Sequence, residues 1–281
     1  MVDTVLSGGW IIDGTRTPPY QADLCIQDGK IVAISPQWEG NCRTRVDVTG
    51  KIVSPGFIDI HTHSDTCPFS AVFPESKVAQ GITLEIVGNC GVSAVPILPS
   101  CQAEQTAYLR KISEIPVPEE AVRDASVQKY AAHVAQTGYP SHLGTLIGQG
   151  TLRAGIVGFQ DRPLTPSEME QMKFLLDDQL NQGALGLSLG LIYPPGSFSP
   201  TSELRELARV VQKHKKILAV HMRNEGPNIF QAVEEMLSIA EETGVHLHIS
   251  HLKLMGKAQW GQAPRLLERI EASRQRGAVV T

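Results

Sequence analysis

The chain has 281 residues, of which 42% are hydrophobic and 19% are charged, and its formal net charge is -4 at pH 7. This composition is typical of a folded globular protein, and the slight acidic excess disfavours a nucleic-acid partner, which would require clustered Lys and Arg. No run of about 18 uncharged apolar residues is present to span a bilayer, so we expect no membrane partner either.

The N-terminus and the cysteines indicate the compartment. The first residues, MVDTVLSGGWIIDG, lack the basic start and the continuous apolar region of a secretory signal. The five cysteines have irregular spacing, which is typical of reduced thiols and not of a disulfide framework. We therefore expect a cytoplasmic protein.

Residues 1–55 have the pattern of a small β-domain. Short segments of alternating polar and apolar residues follow one another, and Asp28-Gly29 and Thr49-Gly50 supply turn signals between them. The remainder, residues 56–281, has a different texture, in which short apolar runs alternate with longer amphipathic stretches. Two domains are predicted, with the boundary near residue 55.

The second domain has the alternation of β/α units. Two helices are clear from their periodicity, one over residues 202–216 with Ser202 as its N-cap and one over 228–244 that ends at Gly244. The predicted strands lie at residues 57–63, 83–90, 141–148, 184–190, 217–223, 246–252 and 278–281.

This alternation predicts a parallel sheet, either doubly wound or closed into a barrel. No G-x-G-x-x-G follows the first strand, which disfavours a dinucleotide-binding fold. A (β/α)8 TIM barrel needs eight strands and the pattern supplies seven. We therefore expect a barrel that is truncated after about seven strands.

Two histidines end the first predicted barrel strand. Because side chains alternate along a strand, His61 and His63 point to the same side. An H-x-H pair alone is weak evidence, but the C-terminal ends of strands are where α/β barrels assemble their active sites. Cys90 ends the second strand between two glycines, and is either a small buried hydrophobe or a thiolate ligand.

Two more histidines, His221 and His251, end later strands. His246 and His248 lie nearer the start of the last of these strands, on the face opposite to His251, so we interpret them as packing or surface residues. Imidazole and thiolate ligands favour zinc, whereas magnesium and calcium prefer oxygen. The strand ends therefore predict a zinc site, and zinc with an open coordination position favours hydrolysis.

Several segments resemble the D-aminoacylase (N-acyl-D-amino-acid deacylase) branch of the amidohydrolase superfamily. Together they extend over nearly the whole chain, and all but the H-x-H segment are specific to that branch. These segments are PGFIDIHTHSD, QGITLEIVGNCGVS, GALGLSLGLIYPPGSF, HMRNEG and HISHLK.

The resemblance implies a set of metal ligands. In that family one zinc ion is bound tightly by a cysteine and two later histidines, which correspond here to Cys90, His221 and His251. The H-x-H pair, His61 and His63, contributes to a second, weaker metal position.

The resemblance also implies two residues that contact the substrate. Tyr193, in LIYPPG, would polarise the scissile carbonyl, and Lys253, in HLK, would bind the substrate carboxylate. The alternatives are a loop aromatic packed beside prolines for Tyr193 and a solvated lysine at a strand end for Lys253.

The implied reaction is hydrolysis of the amide bond of small N-acyl-D-amino acids, by attack of metal-bound hydroxide on the acyl carbonyl. The family's catalytic aspartate ends the last barrel strand, and we expect it to lie beyond Thr281, so weak activity or none is an expected outcome. Asp59 and Asp65 flank the H-x-H motif and do not replace it. Asp59 is expected deeper in the barrel, and Asp65 is expected in a loop, orienting a histidine.

Two other functions stay open. One is a related amidohydrolase that acts on a cyclic amide such as a hydantoin or dihydroorotate, although many of those enzymes use a carboxylated lysine where Cys90 stands here. The other is a metal-binding remnant without catalysis. The open strand edges of an incomplete barrel also make a homo-oligomer an alternative to a monomer.

Overall fold

The structure is a computed structural model that describes residues 1–70, 75–113, 117 and 125–281. The chain divides into two compact units, Met1–Phe57 and Ile58–Thr281. Within the described ranges, no helix is both long and apolar enough to cross a membrane.

The smaller unit is a mixed β-sheet. Its strands are β1 (Val2–Ile11), β2 (Tyr20–Gln27), β3 (Lys30–Ser35), β4 (Cys42–Asp47) and β5 (Ile52–Val53). The sheet has the order β3-β2-β1-β4, with β4 and β5 both parallel to β1 and the other pairs antiparallel. The β2–β3 hairpin turns at Asp28 and Gly29, whose φ angles of +51° and +70° suit the predicted turn. Val5 and Cys25 are fully buried at the centre of one small apolar cluster.

Parallel strands form the centre of the larger unit. They are β6 (Phe57–Asp59), β7 (Ile82–Val87), β8 (His142–Thr145), β9 (Ile147–Gly148), β10 (Gly186–Gly190), β11 (Ile217–His221) and β12 (His246–Ile249). One sheet has the order β6-β7-β8 and the other the order β9-β10-β11-β12. Only Leu146 separates β8 from β9, and the NH of Leu185 donates to the carbonyl of Thr145 at 2.8 Å. Hydrogen bonding therefore continues from one sheet to the other.

Strand order follows chain order across this larger sheet, as it does in the wall of a β/α barrel. Six of the seven predicted strand segments overlap these strands, and the segment at residues 141–148 contains both β8 and β9. The seventh segment contains Val280, which forms a parallel bridge with Leu247. Among the described residues, β6 and β12 do not pair, so these strands do not form a closed barrel. The complete eight-stranded barrel stays a prediction.

Helices cover the parallel strands. They are α1 (Glu75–Ala79), α2 (Gln102–Leu109), α3 (Val127–Thr137), α4 (Gln149–Val157), α5 (Pro166–Asn181), α6 (Thr201–Lys213), α7 (Ile229–Thr243) and α8 (Ala263–Gln275). Fully buried Leu204, Leu207 and Val211 recur on one face of α6 and pack into the main core. Helix α6 therefore contributes an apolar face to the core of the larger unit.

The two helices predicted most clearly from the sequence are present. Helix α7 ends at Gly244, whose φ of +70° gives the left-handed cap that was predicted. Helix α6 begins at Thr201 with Pro200 as its N-cap residue, so the prediction of Ser202 as the cap was wrong. Ser202 is the second residue of the helix and lies inside its first turn.

Candidate functional site

The ends of β6, β7 and β12 bring a sulfur and two imidazoles together. The Cys90 Sγ lies 3.3 Å from His61 Nε2 and 3.5 Å from His251 Nε2. One nitrogen from each ring and the sulfur all lie within 4.8 Å of one another, a spacing at which they could hold a metal ion. These three residues are separated by up to 190 positions in the chain, and the parallel strands bring them to one edge.

His221 extends this cluster from the end of β11. Its ring centroid lies 4.5 Å from that of His251. Glu225, four residues further on, has its Oε1 3.6 Å from His221 Nε2 and 3.3 Å from His251 Nδ1. His221, Glu225 and His251 form a second group with metal-ligand spacing, and it shares His251 with the first.

The other predicted site residues lie around this cluster. His63 has its ring 5.5 Å from that of His61, and the Tyr193 ring lies 4.8 Å from that of His221. Lys253 reaches Glu225, with its Nζ 2.7 Å from Oε2. Tyr193 is 43% exposed and the Lys253 side chain 46% exposed, so both can meet a ligand from solvent.

A close approach of two backbone segments fixes Cys90. A Cβ on Gly190, at the end of β10, would lie 2.0 Å from the carbonyl oxygen of Cys90. Gly91 has a φ of +77°, and its NH donates to Ser188 Oγ at 3.0 Å. Only glycine fits at such a contact. Gly91 and Gly190 therefore allow the backbone at Cys90, just after β7, to pack directly against the end of β10.

Burial sets the charge of the cluster. It lowers the pKa of His61 to about 4, with neighbouring His251 as the second cause, and it lowers the pKa of His221 to about 4 against the opposing charge of Glu225. Burial also raises the pKa of Cys90 to about 12, while the nearby Lys253 charge acts in the opposite direction. Without a cation, His61 and His221 are therefore neutral and the Cys90 thiol is protonated at neutral pH.

Buried ring nitrogens support a metal at this position. Nδ1 of His61 and both ring nitrogens of His221 have no hydrogen-bond partner among the described residues. Buried polar atoms are rarely left in this state, because each such atom loses its bond to water. Soft and borderline donors around unpartnered nitrogens fit zinc.

Four residues that were not predicted to be metal ligands have other contacts in the structure. His246 and His248 each contact Thr281 Oγ1 at 3.0 Å, as expected of packing residues. Asp59 pairs with Lys77 at 3.2 Å. Asp65 is buried and accepts a bond from the Gly88 NH at 2.9 Å, so it fixes the end of β7 where a contact with a histidine was expected.

Sequence reasoning missed Glu225. The residue stands in the HMRNEG segment that carried the resemblance, four positions after His221. Acidic residues in surface loops are common, and nothing in the spacing distinguished this one. Its contacts with two strand ends appear only in the folded chain.

Comparison with known proteins gives a consistent picture. The sequence model of the Amidohydrolase family matches residues 44–274. A D-aminoacylase of Alcaligenes xylosoxydans xylosoxydans is 35% identical over 271 residues, which cover 96% of this chain and 54% of that protein. An N-acyl-D-glutamate deacylase of the same organism is 36% identical and covers 99% of this chain and 56% of its own length. The chain therefore spans about half the length of these curated relatives.

A solved structure resembles the chain over its whole length. It is the N-acyl-D-glutamate deacylase of Bordetella bronchiseptica, complexed with zinc and a phosphonate inhibitor that mimics the tetrahedral intermediate. Its TM-score is 0.90 at 36% identity, and the match covers 100% of this chain and 57% of that chain. The fold is that of this zinc-containing structure.

Proposed function

This chain belongs to the amidohydrolase family, and from that premise we propose that it hydrolyses the amide bond of N-acyl-D-amino acids with the help of zinc. The observation that carries the proposal is the position of His251, which lies within metal-ligand spacing of Cys90 on one side and has the ring of His221 at 4.5 Å on the other. The D-aminoacylase and N-acyl-D-glutamate deacylase relatives support the substrate class. The proposed setting is a (β/α)8 barrel with residues 1–55 as an accessory β-domain.

The proposed ligands divide into two metal positions that share Cys90. Cys90, His221 and His251 would hold one zinc ion tightly. His61 and His63 would contribute to a second, weaker position, toward which Cys90 also lies, as the 3.3 Å separation from His61 indicates. When bound, zinc supplies a Lewis acid that polarises the acyl carbonyl and lowers the pKa of a water molecule.

Two other side chains would act on the substrate directly. Tyr193 has a raised pKa, first because of burial and then because of Cys90, so its hydroxyl keeps its proton at neutral pH. That hydroxyl would donate a hydrogen bond to the oxygen on which negative charge develops. Lys253 would bind the carboxylate of the amino acid, since its half-exposed ammonium group is open to solvent on one side.

Metal analysis and a substrate panel test the proposal together. We expect bound zinc in the purified chain and hydrolysis of N-acetyl-D-amino acids in preference to their L-enantiomers, with activity lost after chelation. Cys90→Ala should lose most of its zinc affinity and its activity, whereas Cys101→Ala, a control at a half-buried cysteine outside the cluster, should keep both.

The alternatives predict different results in the same assays. Hydrolysis of a hydantoin or dihydroorotate without cleavage of acyl amino acids would indicate a cyclic amidase. Tightly bound zinc without hydrolysis of either substrate class would indicate a metal-binding protein without catalysis. Each of these results would contradict the proposed reaction.

A further inference from the structure

Glu225 lies at the junction of the metal cluster and the proposed substrate-binding lysine. Its side chain is 6% exposed. Its two carboxylate oxygens face different groups: Oε1 lies 3.3 Å from His251 Nδ1, and Oε2 lies 2.7 Å from Lys253 Nζ. Glu225 therefore contacts a candidate metal ligand with one oxygen and a candidate substrate-binding group with the other.

The contact with His251 fixes the direction of its ring. When Nδ1–H donates to a carboxylate, the proton is held on that nitrogen and Nε2 keeps its lone pair for a metal. His251 Nε2 is the nitrogen that faces Cys90, at 3.5 Å. A proton held on Nδ1 by Glu225 would therefore leave the nitrogen that points into the cluster free for a metal.

The contact with Lys253 has a different consequence. A lysine close to a divalent cation would be repelled by it and would turn toward solvent. The buried carboxylate offsets that repulsion and holds the ammonium group beside the cluster. The spacing between a metal bound at the cluster and a carboxylate bound at Lys253 would thus be set through one side chain.

We propose that Glu225 is a positioning residue that sets the orientation of His251 for the metal and the location of Lys253 for the substrate carboxylate. This inference rests on the proposed function for its substrate half only. The metal half concerns the chain's own residues and can be measured without any hydrolysis.

Glu225→Gln removes the negative charge and one acceptor oxygen but keeps the volume of the side chain. An amide has one acceptor oxygen and one donor NH2, so it cannot accept from both His251 and Lys253. We expect the zinc affinity to fall about 10- to 100-fold, the range for loss of a group that orients a metal ligand. In the cobalt-substituted protein, the visible bands should shift while the charge-transfer band of the Cys90 thiolate persists.

Lys253→Gln isolates the substrate half. We expect wild-type zinc affinity and an unchanged cobalt spectrum, with the KM for an N-acetyl-D-amino acid raised about 10- to 100-fold, as for a lost bond between charged groups. Glu225→Gln should also raise KM at saturating zinc. The double variant should have a KM no higher than that of Lys253→Gln alone, because both changes break the same contact.

Glu234→Gln is the matched control. Glu234 is a half-exposed glutamate on α7 that pairs with Arg269 at 2.9 Å, and its variant should bind zinc and substrate as the wild type does. Circular dichroism of each variant checks folding. If Glu225→Gln does not fold, Glu225→Asp, which keeps the charge and shortens the reach, should show the same changes to a smaller extent.

Two results would overturn the proposal. Wild-type zinc affinity and an unchanged cobalt spectrum in Glu225→Gln would show that His251 needs no orienting partner. A zinc loss as large as that of Cys90→Ala would identify Glu225 as a ligand itself. If the wild type hydrolyses no acyl amino acid, the proposed function fails, while the affinity comparison still decides the role of Glu225 toward His251.

Discussion

Cys90 and His251 share an unusual backbone conformation, with φ angles of +53° and +35°. A residue with a Cβ pays about 1–2 kcal/mol for the left-handed region, so contacts elsewhere must hold it there. For Cys90 that contact is the close approach between Gly91 and Gly190. Strain at two residues of the same cluster is consistent with a site whose geometry is more important than local stability.

The protonation of Cys90 predicts how zinc affinity depends on pH. Its pKa of about 12 keeps the thiol protonated, whereas His61 and His221, with pKa values of about 4, are already neutral. Zinc binds the thiolate, so binding releases about one proton, and a higher pH favours binding. The apparent affinity should rise about tenfold per pH unit between about pH 7.5 and 9.

A competition assay with a chelator of known proton affinity measures this slope. Cys90→Ala, which has no proton to release, should bind zinc weakly and with a nearly flat profile over the same range. A flat profile in the wild type would mean that the thiol is not a ligand or is already ionised.

Tyr193 is expected to act on the reaction and not on the metal. Tyr193→Phe removes one hydrogen-bond donor to the developing oxyanion, and we expect kcat to fall about 10²- to 10³-fold with unchanged zinc content. Steady-state kinetics measure kcat, and metal analysis measures the zinc content. Tyr20→Phe, a control in the smaller unit, should have wild-type kcat. Zinc loss in Tyr193→Phe would indicate a packing role beside His221.

At the scale of single elements, the loop after β10 depends on an anchor from the end of β11. Arg223 donates to the carbonyl oxygens of Ser197 and Ser199 at 3.1 and 3.0 Å, and it pairs with Glu235 on α7 at 3.0 Å. Ser197 NH in turn donates to the carbonyl of Tyr193 at 2.8 Å. The loop that carries the tyrosine is therefore tied to two neighbouring elements.

Arg223→Lys tests this anchor. Lysine keeps the charge but lacks the planar fork, so it cannot bind both carbonyls and the carboxylate together. We expect kcat to fall about 10- to 100-fold with zinc affinity retained, because small displacements of a positioned group are costly. The change should add little in a Tyr193→Phe background. Arg269→Lys, at a half-exposed arginine on α8, is the control, and an equal loss there would contradict the anchoring role.

Local sequence patterns predicted the strands well, since apolar runs bounded by glycines are visible without tertiary information. They could not predict the polar cluster at the base of β7. There Lys77 contacts Glu85 at 2.6 Å, and Glu85 also accepts from Ser141 at 2.6 Å. These residues come from separate elements, and each alone reads as an ordinary surface residue. Glu225 was not predicted for the same reason, because its partners also come from separate parts of the chain.

At the scale of the whole molecule, the proposed metal ligands all lie in the unit Ile58–Thr281, and the smaller unit has apolar clusters of its own. The parallel direction of the strands could be predicted from their alternation with helices. Barrel closure could not be tested in this way, because it depends on strand pairing across the sheet and not on any local pattern.

Zinc should stabilise the larger unit selectively. A ligand that binds only the folded state, at 100 times its Kd, adds about 2.7 kcal/mol to the free energy of unfolding. For a unit of this size, that corresponds to an increase in Tm of roughly 5–11 °C. Hydrogen exchange should slow at the ends of β7, β11 and β12 and stay unchanged in β1 to β5, since no proposed ligand lies there.

Magnesium at the same concentration should have no effect, because sulfur and nitrogen donors do not suit it. An equal increase with magnesium, or an increase with zinc in Cys90→Ala, would mean that the cation binds elsewhere.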